Sequence, residues 1–137
     1  PIAEPCGLET VSTLKTTILQ IKSLPAGETV GYGRKGVLSR DSRIAAIPIG
    51  YADGLDRHLS NGKGCVVVNG KRAPIVGNIC MDVCMIDVTD IDCQPGDRVE
   101  IFGEQLPVDE IAETLGTIPY EILTSVSTRV KRIYYRE

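Results

Sequence analysis

The stretch Cys65-Val66-Val67-Val68-Asn69-Gly70-Lys71-Arg72-Ala73-Pro74-Ile75-Val76 decides the fold. Two β-rich runs flank Asn69-Gly70, a dipeptide suited to the two left-handed positions of a tight hairpin turn. Upstream, Ile44 to Ile49 has the length and aliphatic composition of a buried strand, entered through a turn at Asp41-Ser42 and closed by Asp53-Gly54. Before it, Thr16 to Lys22 alternates imperfectly and stops at Leu24-Pro25-Ala26-Gly27, and Lys35 to Arg40 follows a bend at Gly31-Tyr32-Gly33. Downstream of a loop at Asn61 to Gly64 and of the hairpin, Ile79 to Val88 reads as a further strand. Pro95-Gly96-Asp97 then turns into Arg98 to Phe102. Short strands joined by such turns predict a mainly β domain, a small barrel or sandwich.

Helical periodicity is confined to the C-terminal part. Val108, Ile111, Ala112 and Leu115 fall at i, i+3, i+4 and i+7, acidic residues load the first turn, and Gly116 supplies the stop. Pro119 suits the first position of a second short helix running through Val126. The basic tail Arg129 to Arg136 reads as a final strand whose cations decorate an exposed face.

At 137 residues the chain is one ordinary domain, able to bury a real core. That core must be aliphatic, because there is no Trp and Phe102 is the single Phe. Positive and negative residues are interspersed around a net charge of −3, with no basic stripe and no interleaved aromatics, which argues against nucleic acid as a partner. The longest apolar run falls far short of the ~20 residues of a membrane helix. The start, Pro1-Ile2-Ala3-Glu4-Pro5, lacks the features of a signal peptide and an initiating Met, so a processed chain or a piece of something longer is expected.

Cys6, Cys65, Cys80, Cys84 and Cys93 are odd in number and lack framework spacing, which argues against a disulfide-stapled module and for a reducing cytoplasm. On a strand from Ile79 to Val88, Cys80 and Cys84 would share a face. No metal site is expected, since the single His, His58, sits in a distant loop.

Tyr51, in Ile47-Pro48-Ile49-Gly50-Tyr51-Ala52-Asp53-Gly54, stands where a buried strand meets a turn. A phenol titrates near pH ~10 in model peptides and needs a neighbouring cation before it can act as a base. Other local motifs point nowhere. No serine carries a G-x-S-x-G context. Gly31-Tyr32-Gly33-Arg34-Lys35-Gly36 matches G-x-G-x-x-G in form without the helix that should follow. Asp87, Asp90, Asp92 and Asp97 lack the Gly and terminal Glu of a calcium loop.

Three separated segments in order change the reading. Gly50-Tyr51-Ala52-Asp53-Gly54, then Pro74-Ile75-Val76-Gly77-Asn78-Ile79-Cys80-Met81-Asp82 with Asp87-Val88-Thr89, then Arg129-Val130-Lys131-Arg132, resemble the C-terminal domain of alanine racemases. The resemblance runs from about Leu14 to Tyr134 and makes residues 1–13 a leading segment from a preceding domain. It implies an N-terminal (β/α)8 barrel, missing from this chain, that holds pyridoxal 5′-phosphate covalently on a lysine. It also implies a head-to-tail homodimer, in which each active site pairs one subunit's barrel with the β domain of the other.

By the same resemblance, Tyr51 is the base that abstracts the α-proton of L-alanine, while the barrel lysine serves the D face. The backbone at Met81 contacts the substrate carboxylate, and Cys80 and Asp82 line the pocket. Asn78, Val126 and Thr128 stand at the substrate entrance and inner gate. Many relatives carry an arginine in place of Asn78 and a tyrosine in place of Thr128, which leaves alanine against serine open. The implied activity interconverts L- and D-alanine for cell-wall peptidoglycan, and the isolated domain is expected to be inactive. The alternatives are a non-catalytic dimerisation or binding module of the same fold and a related decarboxylase, which uses a partner-subunit cysteine in a different motif and against which Gly50-Tyr51-Ala52-Asp53-Gly54 argues.

Overall fold

The computed structural model describes residues 12–30 and 36–133. Nine strands, β1 (Leu14–Thr17), β2 (Gln20–Leu24), β3 (Thr29–Val30), β4 (Gly36–Val37), β5 (Ser42–Ile47), β6 (Cys65–Val68), β7 (Lys71–Val76), β8 (Cys84–Asp87) and β9 (Arg98–Phe102), precede two helices, α1 (Val108–Leu115) and α2 (Pro119–Thr124). Seven strands form one antiparallel sheet in the order β1-β9-β6-β7-β8-β5-β2, while β3 and β4 pair separately. The edge strands β1 and β2 are consecutive in sequence. Between them the Ile18 N–H donates to the Asp97 carbonyl, and the Leu19 N–H donates to the Ala46 carbonyl. One bent segment thus ties both edges, and the sheet curls on itself, the barrel option of the sequence reading.

The hairpin forms as read. Asn69 and Gly70 take φ of +48° and +80°, and Val68 pairs with Lys71. β7 then turns the corner: Lys71 to Pro74 face β6, whereas Ile75 and Val76 face β8. Inside lies an aliphatic core in which Ile47, Ile75, Ile86, Val66 and Val99 are fully buried, with Phe102 at one end. α1 closes that end by burying Val108, Ile111 and Ala112, and Gly116 caps it in the left-handed region as the sequence required.

Several expectations are corrected. Thr16 to Lys22 is two strands, because Ile18 and Leu19 bond to different neighbours. The Ile44 strand begins earlier and ends at Ile47, since Ile49 folds back to bond the Ile47 carbonyl. α2 stops at Thr124. Of Lys35 to Arg40, only Gly36–Val37 is strand; Gly31 to Lys35, Cys6 and Tyr134 to Arg136 lie outside the described residues.

The Ile79 to Val88 strand is confined to Cys84–Asp87. The Cys80 N–H donates to the Val83 carbonyl and makes Met81-Asp82 the tip of a loop. Cys80 and Cys84 therefore share no strand face: Cys80 is half-buried in the loop, and Cys84 is buried in the strand. Nor do residues 129–133 form a strand. A turn over 128–130 leads into an irregular stretch instead, with the Val130 N–H bonded to the Ser127 carbonyl and the Arg132 guanidinium to the carbonyls of Val126 and Ser127.

Candidate active site

β5 delivers the chain to the barrel rim, where Gly50 starts a single 3-10 turn over Tyr51–Asp53. Asp53 points inward: its Oδ2 accepts from the Gly50 N–H at 2.9 Å and closes the turn. Gly54 ends the turn at φ +110°. Tyr51 points outward and is 43% exposed. The turn is zipped to the 80–83 loop by two backbone bonds, Tyr51 N–H to the Cys80 carbonyl at 2.9 Å and Ala52 N–H to the Met81 carbonyl at 3.0 Å. So close is the approach that a Cβ on Gly50 would lie 2.2 Å from the Cys80 oxygen.

The chain beyond α2 seals the other side. The Ser127 N–H donates to the Asp53 carbonyl at 3.0 Å, and a Cβ on Gly54 would meet Ser125 and Val126. Arg129 is no surface decoration, contrary to the sequence reading: its Nε lies 2.8 Å from Asp53 Oδ1 and its Nη2 2.6 Å from Asp82 Oδ1. The hydrogen bond to Asp82 first, and the charge of Asp53 second, raise the affinity of this guanidinium for its proton. A second cation, Arg57, places its guanidinium carbon 5.5 Å from the Tyr51 ring centroid, within cation–π range.

The structure thus brings together Tyr51, Cys80, Met81, Asp82 and Val126. Met81 is 51% exposed, Asp82 is exposed and Cys80 is half-buried. Thr128 is exposed on the strap that follows Val126, while the Asn78 side chain accepts from Asn61 Nδ2 at 2.9 Å. Arg57, Ser127 and the two carboxylate contacts of Arg129 were not foreseen. The Gly50-to-Asp53 spacing, which matches one half of a capping box, was the available signal for the inward carboxylate.

An apolar cavity of about 250 Å³ opens beside Tyr51, walled by Leu55, Phe102, Ile111, Leu115 and Ile122 among others. Met81 and Asp82 are not among its walls, nor is any lysine. Tyr51 thus lines the cavity, while the Met81 side of the polar face stands outside it. Among the described residues, no cluster of three His, Cys, Asp or Glu could hold a metal ion, and no helix is long and apolar enough to cross a membrane.

The family model for the alanine racemase C-terminal domain matches residues 11–134. The chain belongs to that family. It is 48% identical to an alanine racemase of Clostridium novyi over 94% of its own length and 35% of the relative's. It is similar in structure to an alanine racemase of Bartonella henselae solved with covalently bound pyridoxal phosphate, at a TM-score of 0.85 and 45% identity, covering 90% of this chain and 34% of that one. The biosynthetic alanine racemase of Pseudomonas aeruginosa superposes at 0.89 with 36% identity, covering 96% and 37%. The chain thus spans about a third of these racemases, matching their C-terminal domain.

Proposed function

We propose that this chain is the C-terminal domain of a pyridoxal-phosphate-dependent alanine racemase, and that Tyr51 is its acid–base group for the L enantiomer. The observation that carries this is the zipping of Tyr51 to the Cys80-Met81 loop, which puts an exposed phenol and an exposed backbone segment on one face. Racemisation requires proton exchange on opposite sides of the α-carbon, and this domain supplies the group on one side. Tyr51, deprotonated, takes the α-proton of L-alanine at its phenolate oxygen and becomes the phenol that returns it in the reverse direction. The lysine of the N-terminal barrel serves the other side.

The Met81 carbonyl is occupied by Ala52, so the Met81 N–H is the backbone donor suited to the substrate carboxylate. Cys80 and Asp82 flank it, and Val126, Thr128 and Asn78 shape the approach. The cofactor is held by the barrel while this face covers it. Pyridoxal phosphate, when bound there, supplies the electron sink at the α-carbon. The barrel comes from the partner subunit of a cytoplasmic homodimer making D-alanine for peptidoglycan, and the domain alone is inactive.

The test follows α-proton exchange of L- and D-alanine in deuterated water, using the full-length protein with and without Tyr51→Phe. Selective loss of exchange from L-alanine, with D-alanine exchange partly kept, is expected. Equal exchange of both enantiomers in wild type and variant would remove Tyr51 from the mechanism.

A further inference from the structure

Arg129 opens the third of the three segments quoted from the sequence, and its side chain joins the other two. Its Nε binds Asp53 Oδ1, and Asp53 uses its second oxygen to close the turn that presents Tyr51. Its Nη2 binds Asp82 Oδ1, on the residue next to Met81. The guanidinium therefore stands between two carboxylates that belong to the two halves of the site. The strap carrying it is itself anchored to the turn through the Ser127 N–H and the Asp53 carbonyl, and the Arg129 N–H bonds Ser127 Oγ at 3.1 Å. Asp53 is nearly buried, its side chain 12% exposed, so removing the cation leaves a carboxylate with little water to take over. The planar fork of arginine can hold both carboxylates at once, whereas a lysine offers one compact charge.

We propose that Arg129 is a positioning residue that fixes the Tyr51 phenol relative to the Met81 backbone, so that base and carboxylate donor reach one substrate together. The proposal rests on the reading of Tyr51 as the L-side base. The two backbone bonds between turn and loop keep the fold without Arg129, while the lateral register of the two segments loosens.

In the full-length protein, Arg129→Gln is expected to slow α-proton exchange of L-alanine by about 10- to 100-fold, the effect of a misplacement near 1 Å, and that of D-alanine much less. The ratio of the two rates thus moves in the same direction as in Tyr51→Phe. A merely structural role would lower both rates in proportion to the folded fraction and leave the ratio alone. Arg129→Lys is expected to restore the ratio in part. Hydrogen–deuterium exchange of the same proteins supplies a readout free of turnover: peptides spanning 50–55 and 79–84 quicken in Arg129→Gln, and the 65–76 hairpin keeps its protection.

A wild-type L-to-D ratio in Arg129→Gln, or unchanged protection of both peptides, overturns the proposal. Should Arg129→Gln fail to fold, Asp82→Asn, which keeps the contact to Asp53, must shift the ratio in the same direction by a smaller amount, and a wild-type ratio there also overturns it. Loss of L-side exchange in Tyr51→Phe with no change of ratio in the Arg129 variants rejects only the role of Arg129. An unaffected Tyr51→Phe rejects the Tyr51 reading and this proposal with it.

Discussion

Replacing Gly50 by alanine isolates the contact on which the site depends. Gly50 has φ −149°, an extended conformation open to any residue, so alanine adds no backbone strain there. The added Cβ would lie 2.2 Å from the Cys80 oxygen and 2.4 Å from the Met81 oxygen, where ordinary contact begins at 3.4 Å. The loop must retreat by 3.4 − 2.2 = 1.2 Å. A retreat of that size along the bonds carries the 2.9 and 3.0 Å contacts of the Tyr51 and Ala52 N–H groups beyond hydrogen-bonding range. Two lost bonds cost about 1 kcal/mol each, and overpacking adds about 1–3 kcal/mol, for a total of about 3–5 kcal/mol.

Gly62 is the matched control: φ is +86° and nothing lies within 4 Å of its Cβ position, so Gly62→Ala carries only the left-handed strain of about 1–2 kcal/mol. Urea unfolding of the two variants and the parent, compared at equal m, reads the difference. If Gly50→Ala is no more destabilising than Gly62→Ala, the steric account of the turn–loop contact is wrong.

Two other predictions concern a buried thiol and an exposed ion pair. Burial, followed by the neighbouring Cys80, pushes the Cys84 thiol up to about 12 from 9.0. The folded state therefore holds its proton more tightly than the unfolded one, so this contribution is intact below pH 9 and declines as pH climbs toward 12. Relative to Cys84→Ala, the parent should lose about 2 kcal/mol between pH 9 and about pH 10.5 in urea melts, and no such difference would refute it. The Arg72–Glu110 pair joins β7 to the first turn of α1 with side chains 48% and 43% exposed. Arg72→Ala is expected to cost about 0.2–1 kcal/mol in thermal melts, and the difference should shrink in about 1 M salt.

What was legible in the sequence is what local chemistry decides. Asn69-Gly70 fixes its hairpin because two successive left-handed positions suit few other pairs, and the apolar spacing of Val108 to Leu115 with Gly116 marks α1 and its end. The loop at Ile79 to Val83 was not legible, since apolar residues on both sides of Asp82 suit one strand running into β8. Its shape comes from carbonyls turned toward Tyr51 and Ala52, which no local pattern reports. The tail failed for a similar reason: Val130 and Ile133 suit a strand, while Arg129 and Arg132 bind partners elsewhere and hold the backbone in turns. Tyr51 and Met81 were found through family resemblance, and Arg129 was missed because its two carboxylates are remote in sequence.

The geometry also explains why Tyr51 is presented and Asp53 withheld. A strand would place residues 51 and 53 on one face, whereas the 3-10 turn, at three residues per turn, sets them about 120° apart around its axis. Asp53 goes inward because the Gly50 N–H needs an acceptor, and Tyr51 is left facing out on the segment that bonds the 80–83 loop. That arrangement gives a rigid edge with a phenol and a backbone donor. The cavity beside it is mainly apolar, and Met81 is not among its walls. An edge of this kind can complete a concave site supplied by another domain, which is the role that belonging to a family of C-terminal racemase domains leads one to expect. On the proposed reading the face acts by the fixed placement of one oxygen and one N–H, and the contacts worth mutating are those that set their separation: Gly50 through its missing Cβ, and Arg129 through its two carboxylates.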